Sequence, residues 1–141
     1  MSKNKNLIVA LGAVLMMAVA SMVGAGGGRP VAPKEAQELL AKGKIHLVDV
    51  REAGELMESG TAKDALWLPM SVQSEGTPEM KAFLEKVAAG GKKEKELVFF
   101  CRSGRRSGMA AEAFQKLGFK TGNMGGFSGW VDAGLPTMPK P

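Results

Sequence analysis

Short apolar runs alternate with helix-like segments along most of the chain. The apolar runs have the length and composition of buried strands. They lie at residues 45–50 (IHLVDV), 65–70 (ALWLPM), 97–100 (LVFF) and 119–124 (FKTGNM). Apolar residues that recur every three or four positions predict helices at 33–43, 51–60, 78–90 and 107–118. This alternation predicts a three-layer α/β fold, in which helices cover both faces of a central, mostly parallel sheet.

Proline, threonine and glycine mark the ends of three of these helices. Pro33 and Pro78 suit the first helical turn, where the missing N–H group is not needed. Thr77 is a suitable cap for the helix that Pro78 begins. Gly43 and Gly118 follow two helical segments and predict their ends.

The first 25 residues are a segment of a different kind. Lys3 and Lys5 precede a long apolar run without charges, and small residues ending at Ala20 and at Ala25 have the form of a cleavage site. This pattern predicts a secretory signal peptide. An uncleaved membrane anchor is the alternative, because the uncharged run is just long enough to span a bilayer. We therefore expect a periplasmic or secreted protein, or one that is anchored in the inner membrane.

The rest of the chain has the length of a single domain. Residues 26–32 (GGGRPVA) predict a flexible lead-in, and residues 33–138 predict one folded domain that buries its core without disulfides. The net charge of +5 falls to +3 when Lys3 and Lys5 are left out, and the basic residues are scattered. This charge does not favour binding to nucleic acid.

The chain contains one cysteine, Cys101, and one histidine, His46. A single cysteine forms no internal disulfide, and one cysteine with one histidine is too little for a zinc site of that type. We therefore expect no metal.

Cys101 follows a predicted strand directly and precedes a predicted helix. In open α/β sheets, loops at the carboxyl ends of strands form the binding sites. Gly104 can adopt a positive φ, so that backbone N–H groups of the loop turn inward and form an anion-binding cradle near a helix N-terminus. The charged residues of the loop are Arg102, Arg105 and Arg106. Such surroundings lower the pKa of a cysteine, so we predict a thiolate at neutral pH.

A thiolate in an anion cradle permits two reactions, attack on phosphorus or attack on sulfane sulfur. In cysteine phosphatases, an arginine that grips the phosphate through two hydrogen bonds is the sixth residue after the cysteine. Here Arg106 is the fifth residue and Ser107 is the sixth. The loop is one residue too short for phosphate, which favours a persulfide on Cys101.

Four segments, in order, resemble the rhodanese sulfurtransferase family. They are LVDVRE (47–52), GTAKDALWLPM (60–70), CRSGRRS (101–107) and GGFSGWVDAGLP (125–136). The resemblance covers about residues 30–138. Thr61 and Asp64 stand where the family usually has histidine and glycine. We expect these departures to affect loop packing or a substrate-facing detail more than the chemistry.

The resemblance implies a five-stranded parallel sheet and a two-step transfer of sulfur from a donor such as thiosulfate to an acceptor such as cyanide, a thiol or sulfite. It makes Cys101 the nucleophile, which carries a persulfide, and needs no cofactor. The donor-binding residues that it implies are Arg102, Ser103, Gly104, Arg105 and Arg106.

Asp49 and Arg51 end the strand predicted beside that of Cys101, and we expect them to support the loop. A low-turnover carrier that delivers persulfide to a partner protein is the alternative function, because it needs the same cysteine and cradle.

Overall fold

A computed structural model describes residues 27–89 and 95–141 of the chain. In these two ranges the strands are β1 (Arg29–Pro30), β2 (Ile45–Asp49), β3 (Thr61–Ala62), β4 (Leu66–Trp67), β5 (Glu96–Cys101), β6 (Thr121–Gly126) and β7 (Thr137–Met138). The helices are α1 (Pro33–Ala41), α2 (Ala53–Ser59), α3 (Pro78–Val87), α4 (Arg105–Lys116) and α5 (Phe127–Asp132), and a 3₁₀ turn lies at Met70–Val72.

Five strands form one sheet in the order β1–β6–β5–β2–β4, and every neighbouring pair is parallel. Parallel neighbours need crossover connections, which the helices supply. The predicted α/β fold with a five-stranded parallel sheet is confirmed. A separate antiparallel pair, β3 and β7, joins the end of α2 to the C-terminal segment.

The core has two halves because the side chains of each strand alternate between the faces of the sheet. In β5, Leu97, Phe99 and Cys101 belong to one half, and Val98 and Phe100 belong to the other. Buried residues of α3 and α4 cover the first half, and those of α1 and α5 cover the second. The predicted helices on both faces are therefore present.

The helix ends that proline, threonine and glycine predict are confirmed, whereas α4 begins at Arg105, two residues before its predicted start. Pro33 and Pro78 begin α1 and α3, and the Thr77 hydroxyl accepts a hydrogen bond from the backbone N–H of Met80 at 3.1 Å. Gly43 and Gly118 have φ values of 67° and 96° after α1 and α4, a conformation that favours glycine.

The segment 26–32, predicted as a flexible lead-in, includes β1 at the edge of the sheet. Arg29 pairs with Glu96 through two hydrogen bonds of 2.7 and 2.8 Å, and the N–H of Val31 donates to the carbonyl of Asn123. The lead-in prediction is wrong for these residues, because the partners that order them are distant in sequence. The predicted leader, residues 1–25, lies outside the described residues.

No helix in the described part of the chain is long and apolar enough to cross a membrane.

Candidate active site

Cys101 is the last residue of β5, and its side chain is buried (0% exposed). The sequence predicted it just beyond the strand, in the loop; the structure corrects this, because Cys101 ends β5 and its side chain packs beneath α4 as part of the core. The turn that follows depends on Gly104, which has φ 96° and immediately precedes the first residue of α4. The chain therefore passes from strand to helix within three residues and turns back over the sulfur.

The cradle that the sequence predicts is present around the Cys101 sulfur. The backbone N–H of Gly104 donates to Sγ at 2.9 Å, and the Ser107 hydroxyl lies 3.3 Å from Sγ. Burial raises the pKa of the thiol, whereas hydrogen bonds from the Ser107 hydroxyl and from the N–H groups of Ser107, Gly104 and Ser103 lower it. The hydrogen bonds outweigh burial, so the pKa of Cys101 lies below its ordinary value.

Two residues of this cradle are absent from the sequence-based prediction, Ser107 and Asn123. Ser107 is buried and lies in the first turn of α4. Its hydroxyl donates to Asn123 Oδ1 at 2.8 Å, and Asn123 Nδ2 donates to the Gly104 carbonyl at 3.0 Å. The position of Ser107 in CRSGRRS could have indicated it, but nothing local indicates Asn123, which reaches the loop from β6.

A bulge in β6 brings a pair of glycines against the loop. The register of β6 against β5 shifts by one residue between Phe99 and Phe100 of β5. Gly125, the first paired residue of β6 after the shift, has φ 91°. A Cβ atom on Gly126 would lie 2.5 Å from the Arg102 carbonyl oxygen. Because that oxygen is backbone, any side chain at Gly126 would displace the loop.

Arg106 is held by an acidic residue of α2. Its guanidinium donates to the two carboxylate oxygens of Glu55 at 2.8 and 2.7 Å. The hydrogen bond from Arg106 lowers the pKa of Glu55 to about 2, and Glu55 in turn raises the pKa of Arg106. The pair is therefore charged at neutral pH and ties α4 to α2. The expected contact between Arg106 and the donor stays a prediction.

The other two loop arginines, Arg102 and Arg105, are exposed. Arg102 lines a cavity of about 380 Å³ beside the loop, whereas Arg105 is not among the residues that line it. The cavity is bounded by Arg51, Glu55, Glu58, Ser59, Arg102, Phe127 and Ser128. A larger cavity of about 1010 Å³ is lined by Ile45, Glu96 and Thr121, the first residues of three strands. It therefore lies at the amino ends of the strands, whereas Cys101 lies at the carboxyl end of β5.

Asp49 and Arg51 form a buried ion pair at the carboxyl end of β2, the strand beside β5. Arg51 Nη2 lies 2.8 Å from Asp49 Oδ2, and the same carboxylate oxygen accepts from the Thr61 hydroxyl at 2.7 Å. The Arg51 guanidinium also lies over the ring of Phe127, 4.5 Å from its centre. Asp49 and Arg51 thus support the floor of the cavity beside the loop.

The two departures from the family pattern have distinct structural roles. Thr61 supplies the hydroxyl that satisfies Asp49, and Asp64 has φ 66° at the position where the family usually has glycine. Aspartate tolerates this left-handed conformation better than most residues. Both departures therefore concern packing and turn geometry.

The geometry suits a buried thiolate that attacks an anionic or polar electrophile. In the described residues, no group of three or more His, Cys, Asp or Glu side chains could hold a metal ion. A family model for the rhodanese-like domain matches residues 32–133. The chain belongs to the rhodanese-like sulfurtransferase family. This agrees with the resemblance seen in the four sequence segments.

Individual members of this family are similar to the chain over most of its length. The thiosulfate:glutathione sulfurtransferase of Homo sapiens is 35% identical over 96 residues, which cover 66% of this chain and 83% of that protein. The YtwF protein of Bacillus subtilis (strain 168) is 35% identical over 95 residues, 67% of this chain and 81% of that protein.

A solved structure shows the same fold. The polysulfide-sulfur transferase homodimer of Wolinella succinogenes superposes with a TM-score of 0.60 and is 29% identical, covering 89% of this chain and 88% of that chain. The rhodanese-like fold of this chain thus rests both on sequence and on structure.

Proposed function

We propose that this rhodanese-like protein transfers sulfane sulfur through a persulfide on Cys101. The observation that carries the proposal is the buried Cys101 sulfur, which is hydrogen-bonded by the N–H of Gly104 and lies beside the Ser107 hydroxyl. A thiolate that is stabilised in this way is available as a nucleophile at a lower pH than that of an ordinary cysteine. The same N–H groups stabilise the negative charge of a persulfide that takes its place.

In the first step, the Cys101 thiolate attacks the outer sulfur of thiosulfate. A new S–S bond forms, the S–S bond of thiosulfate breaks, and sulfite leaves with the electron pair of that bond. The products are an anionic persulfide and sulfite, so charge is conserved without a cofactor. In the second step, a thiolate, sulfite or cyanide attacks the outer persulfide sulfur and restores the Cys101 thiolate. Because Cys101 is buried, the donor must displace loop atoms to reach it.

Two observations favour sulfur transfer over the other candidate functions. The Arg106 guanidinium is bound to Glu55, and a buried serine occupies the position where a phosphatase needs its arginine. The three similar proteins are all named for sulfur transfer, and one of them is a thiosulfate:glutathione enzyme. These names favour turnover over a carrier role. We propose thiosulfate as the donor and a small thiol as the acceptor on this basis.

We also propose that the reaction takes place outside the cytoplasm, in the periplasm or after secretion. The support is the signal-peptide pattern of residues 1–25.

Intact-mass measurement after incubation with thiosulfate tests the persulfide directly. We expect the folded protein to gain the mass of one sulfur atom and to lose it on treatment with a thiol reductant, because Cys101 is the only cysteine. Protein that is first alkylated at Cys101 is the control and should gain nothing. An unchanged mass for the untreated, folded protein would contradict the persulfide mechanism.

Removing the charge of Arg102 should weaken donor binding. We expect Arg102→Ala to raise the KM for thiosulfate roughly threefold to tenfold and to change kcat less than about twofold, because an exposed charge at the cavity mainly concentrates the dianion. Steady-state kinetics with cyanide as acceptor measure both constants.

Arg105→Ala is the matched control, because it removes the same charge from the same loop but away from the cavity. Its KM should change less than about twofold. An equal rise in both variants would show that the total positive charge, and not the cavity, binds the donor.

A further inference from the structure

The Ser107 hydroxyl has one proton and two acceptors within reach. Asn123 Oδ1 lies 2.8 Å from Ser107 Oγ, and Cys101 Sγ lies 3.3 Å from it on the other side. Ser107 is buried (0% exposed), so water does not supply a second donor. The hydroxyl can therefore donate to only one of the two atoms at a time.

When Cys101 is a thiol, both contacts are hydrogen bonds that run in the same direction, from the sulfur towards Asn123. The S–H group donates to Ser107 Oγ, and the Ser107 O–H group donates to Asn123 Oδ1. When the thiol proton has passed to solvent, Sγ has no proton to donate and becomes a strong acceptor. The Ser107 hydroxyl then gains more by donating to the charged sulfur than to the neutral amide.

Asn123 can release the hydroxyl at low cost because it has a second donor. The backbone N–H of Gly125 donates to the same Oδ1 atom at 2.9 Å. The amide is held in place from its other end, where Nδ2 donates to the Gly104 carbonyl at 3.0 Å. Oδ1 therefore stays in position and stays hydrogen-bonded when the hydroxyl turns to the sulfur.

We propose that Asn123 is a positioning residue for Cys101 and that it acts through the Ser107 hydroxyl, which donates to Asn123 while the sulfur is protonated and to Cys101 Sγ while the sulfur is a thiolate. The proton stays on Ser107 throughout, and only the C–O bond rotates. One part of this proposal, the persulfide state, rests on the proposed function. In that state the negative charge lies on the outer sulfur, and the Ser107 hydroxyl donates to Asn123 again.

The proposal gives Ser107 and Asn123 opposite effects on the thiol. Loss of the Ser107 hydroxyl removes a strong hydrogen bond to the thiolate and only a weak S–H···O hydrogen bond of the thiol, so Ser107→Ala should raise the pKa of Cys101 by about one unit. Loss of Asn123 Oδ1 removes an acceptor that only the thiol state uses. Asn123→Leu should therefore lower the pKa by about half a unit through this route.

A double-mutant cycle measures this coupling with the full chain. The pKa of Cys101 is followed by the ultraviolet absorbance of the thiolate, against Cys101→Ser as blank. The signal is clean because the chain has one cysteine and no tyrosine. In the Ser107→Ala background, Asn123→Leu reports the loss of the hydrogen bonds with Gly104 and Gly125, without the route through the hydroxyl. With the serine present, the same change should lower the pKa by about half a unit more than it does without the serine.

Ser107→Thr, which restores the hydroxyl, should return the pKa to within a few tenths of a unit of the wild-type value. The charged groups near the sulfur are Arg102, Arg105 and Arg106 on its own loop and helix, Glu55 on α2, and the Asp49–Arg51 pair at the end of β2. All of them remain in every variant.

Three results would overturn the proposal. They are zero coupling, coupling of the opposite sign, and an unchanged pKa in Ser107→Ala. Should Asn123→Leu fail to fold, Asn123→Ala removes the same oxygen, and its coupling to Ser107→Ala should have the same sign. Because the measurement detects the thiolate and not sulfur transfer, it decides this inference even for a protein that forms no persulfide.

Discussion

Cys101→Ser should lower the rate of sulfur transfer at least about a thousandfold. The serine hydroxyl keeps the hydrogen bond from the Gly104 N–H, but it is not ionised at neutral pH and cannot form a persulfide. Only one atom changes, so the fold should be retained. The rate of sulfite release from thiosulfate with cyanide as acceptor is the measurement, and thermal unfolding of both proteins verifies the fold.

The same variant separates the roles of the cradle and the nucleophile. Folded Cys101→Ser protein should gain no mass on incubation with thiosulfate, while the wild-type protein gains one sulfur atom. Residual transfer well above a thousandth of the wild-type rate would show that another group carries the sulfur, and the mechanism proposed for Cys101 would then be wrong.

Asp49→Asn should cost about 3 kcal/mol of the free energy of unfolding. Asp49 is fully buried and accepts hydrogen bonds from Arg51 and from the Thr61 hydroxyl. The substitution leaves the guanidinium of Arg51, which is 4% exposed, without its counter-charge. It also places an amide N–H group opposite other donors. Urea denaturation monitored by circular dichroism measures the change.

Glu112→Gln is the matched control for this substitution. Glu112 pairs with Lys116 on the surface of α4 at 3.8 Å, and loss of such an exposed pair costs at most about 0.5 kcal/mol. If the free energy of unfolding falls by the same small amount in both variants, the contacts of Arg51 with Ser59, Gly60 and the Phe127 ring stabilise it without Asp49.

The elements that the sequence predicted are those whose signal is local. The apolar run at 97–100 became β5 because every one of its residues is buried on one face of the sheet or the other. The caps at Pro33, Thr77 and Pro78 work within one turn of their own helices. Such elements follow from spacing and turn chemistry, which need no knowledge of distant residues.

The elements that the sequence did not predict depend on distant partners. β1, β3 and β7 are two residues long each, too short for any apolar periodicity. They exist because another strand lies beside them. The helix α5 was also missed, since FSGWVD contains glycine and is only six residues long. Phe127 and Trp130 hold it by packing into the core.

The sequence by itself determined where the candidate site lies. A lone cysteine at a strand end, a turn glycine and a following helix are properties of consecutive residues, and they predicted the cradle around Cys101. Only the tertiary structure decided how the cradle is held. Arg106 is bound by Glu55, 51 positions away, and the Ser107 hydroxyl by Asn123, 16 positions away. Folding brings these residues together, because parallel strands align their carboxyl ends at one edge of the sheet. No local pattern encodes which side chain then neutralises a charge or shares a proton.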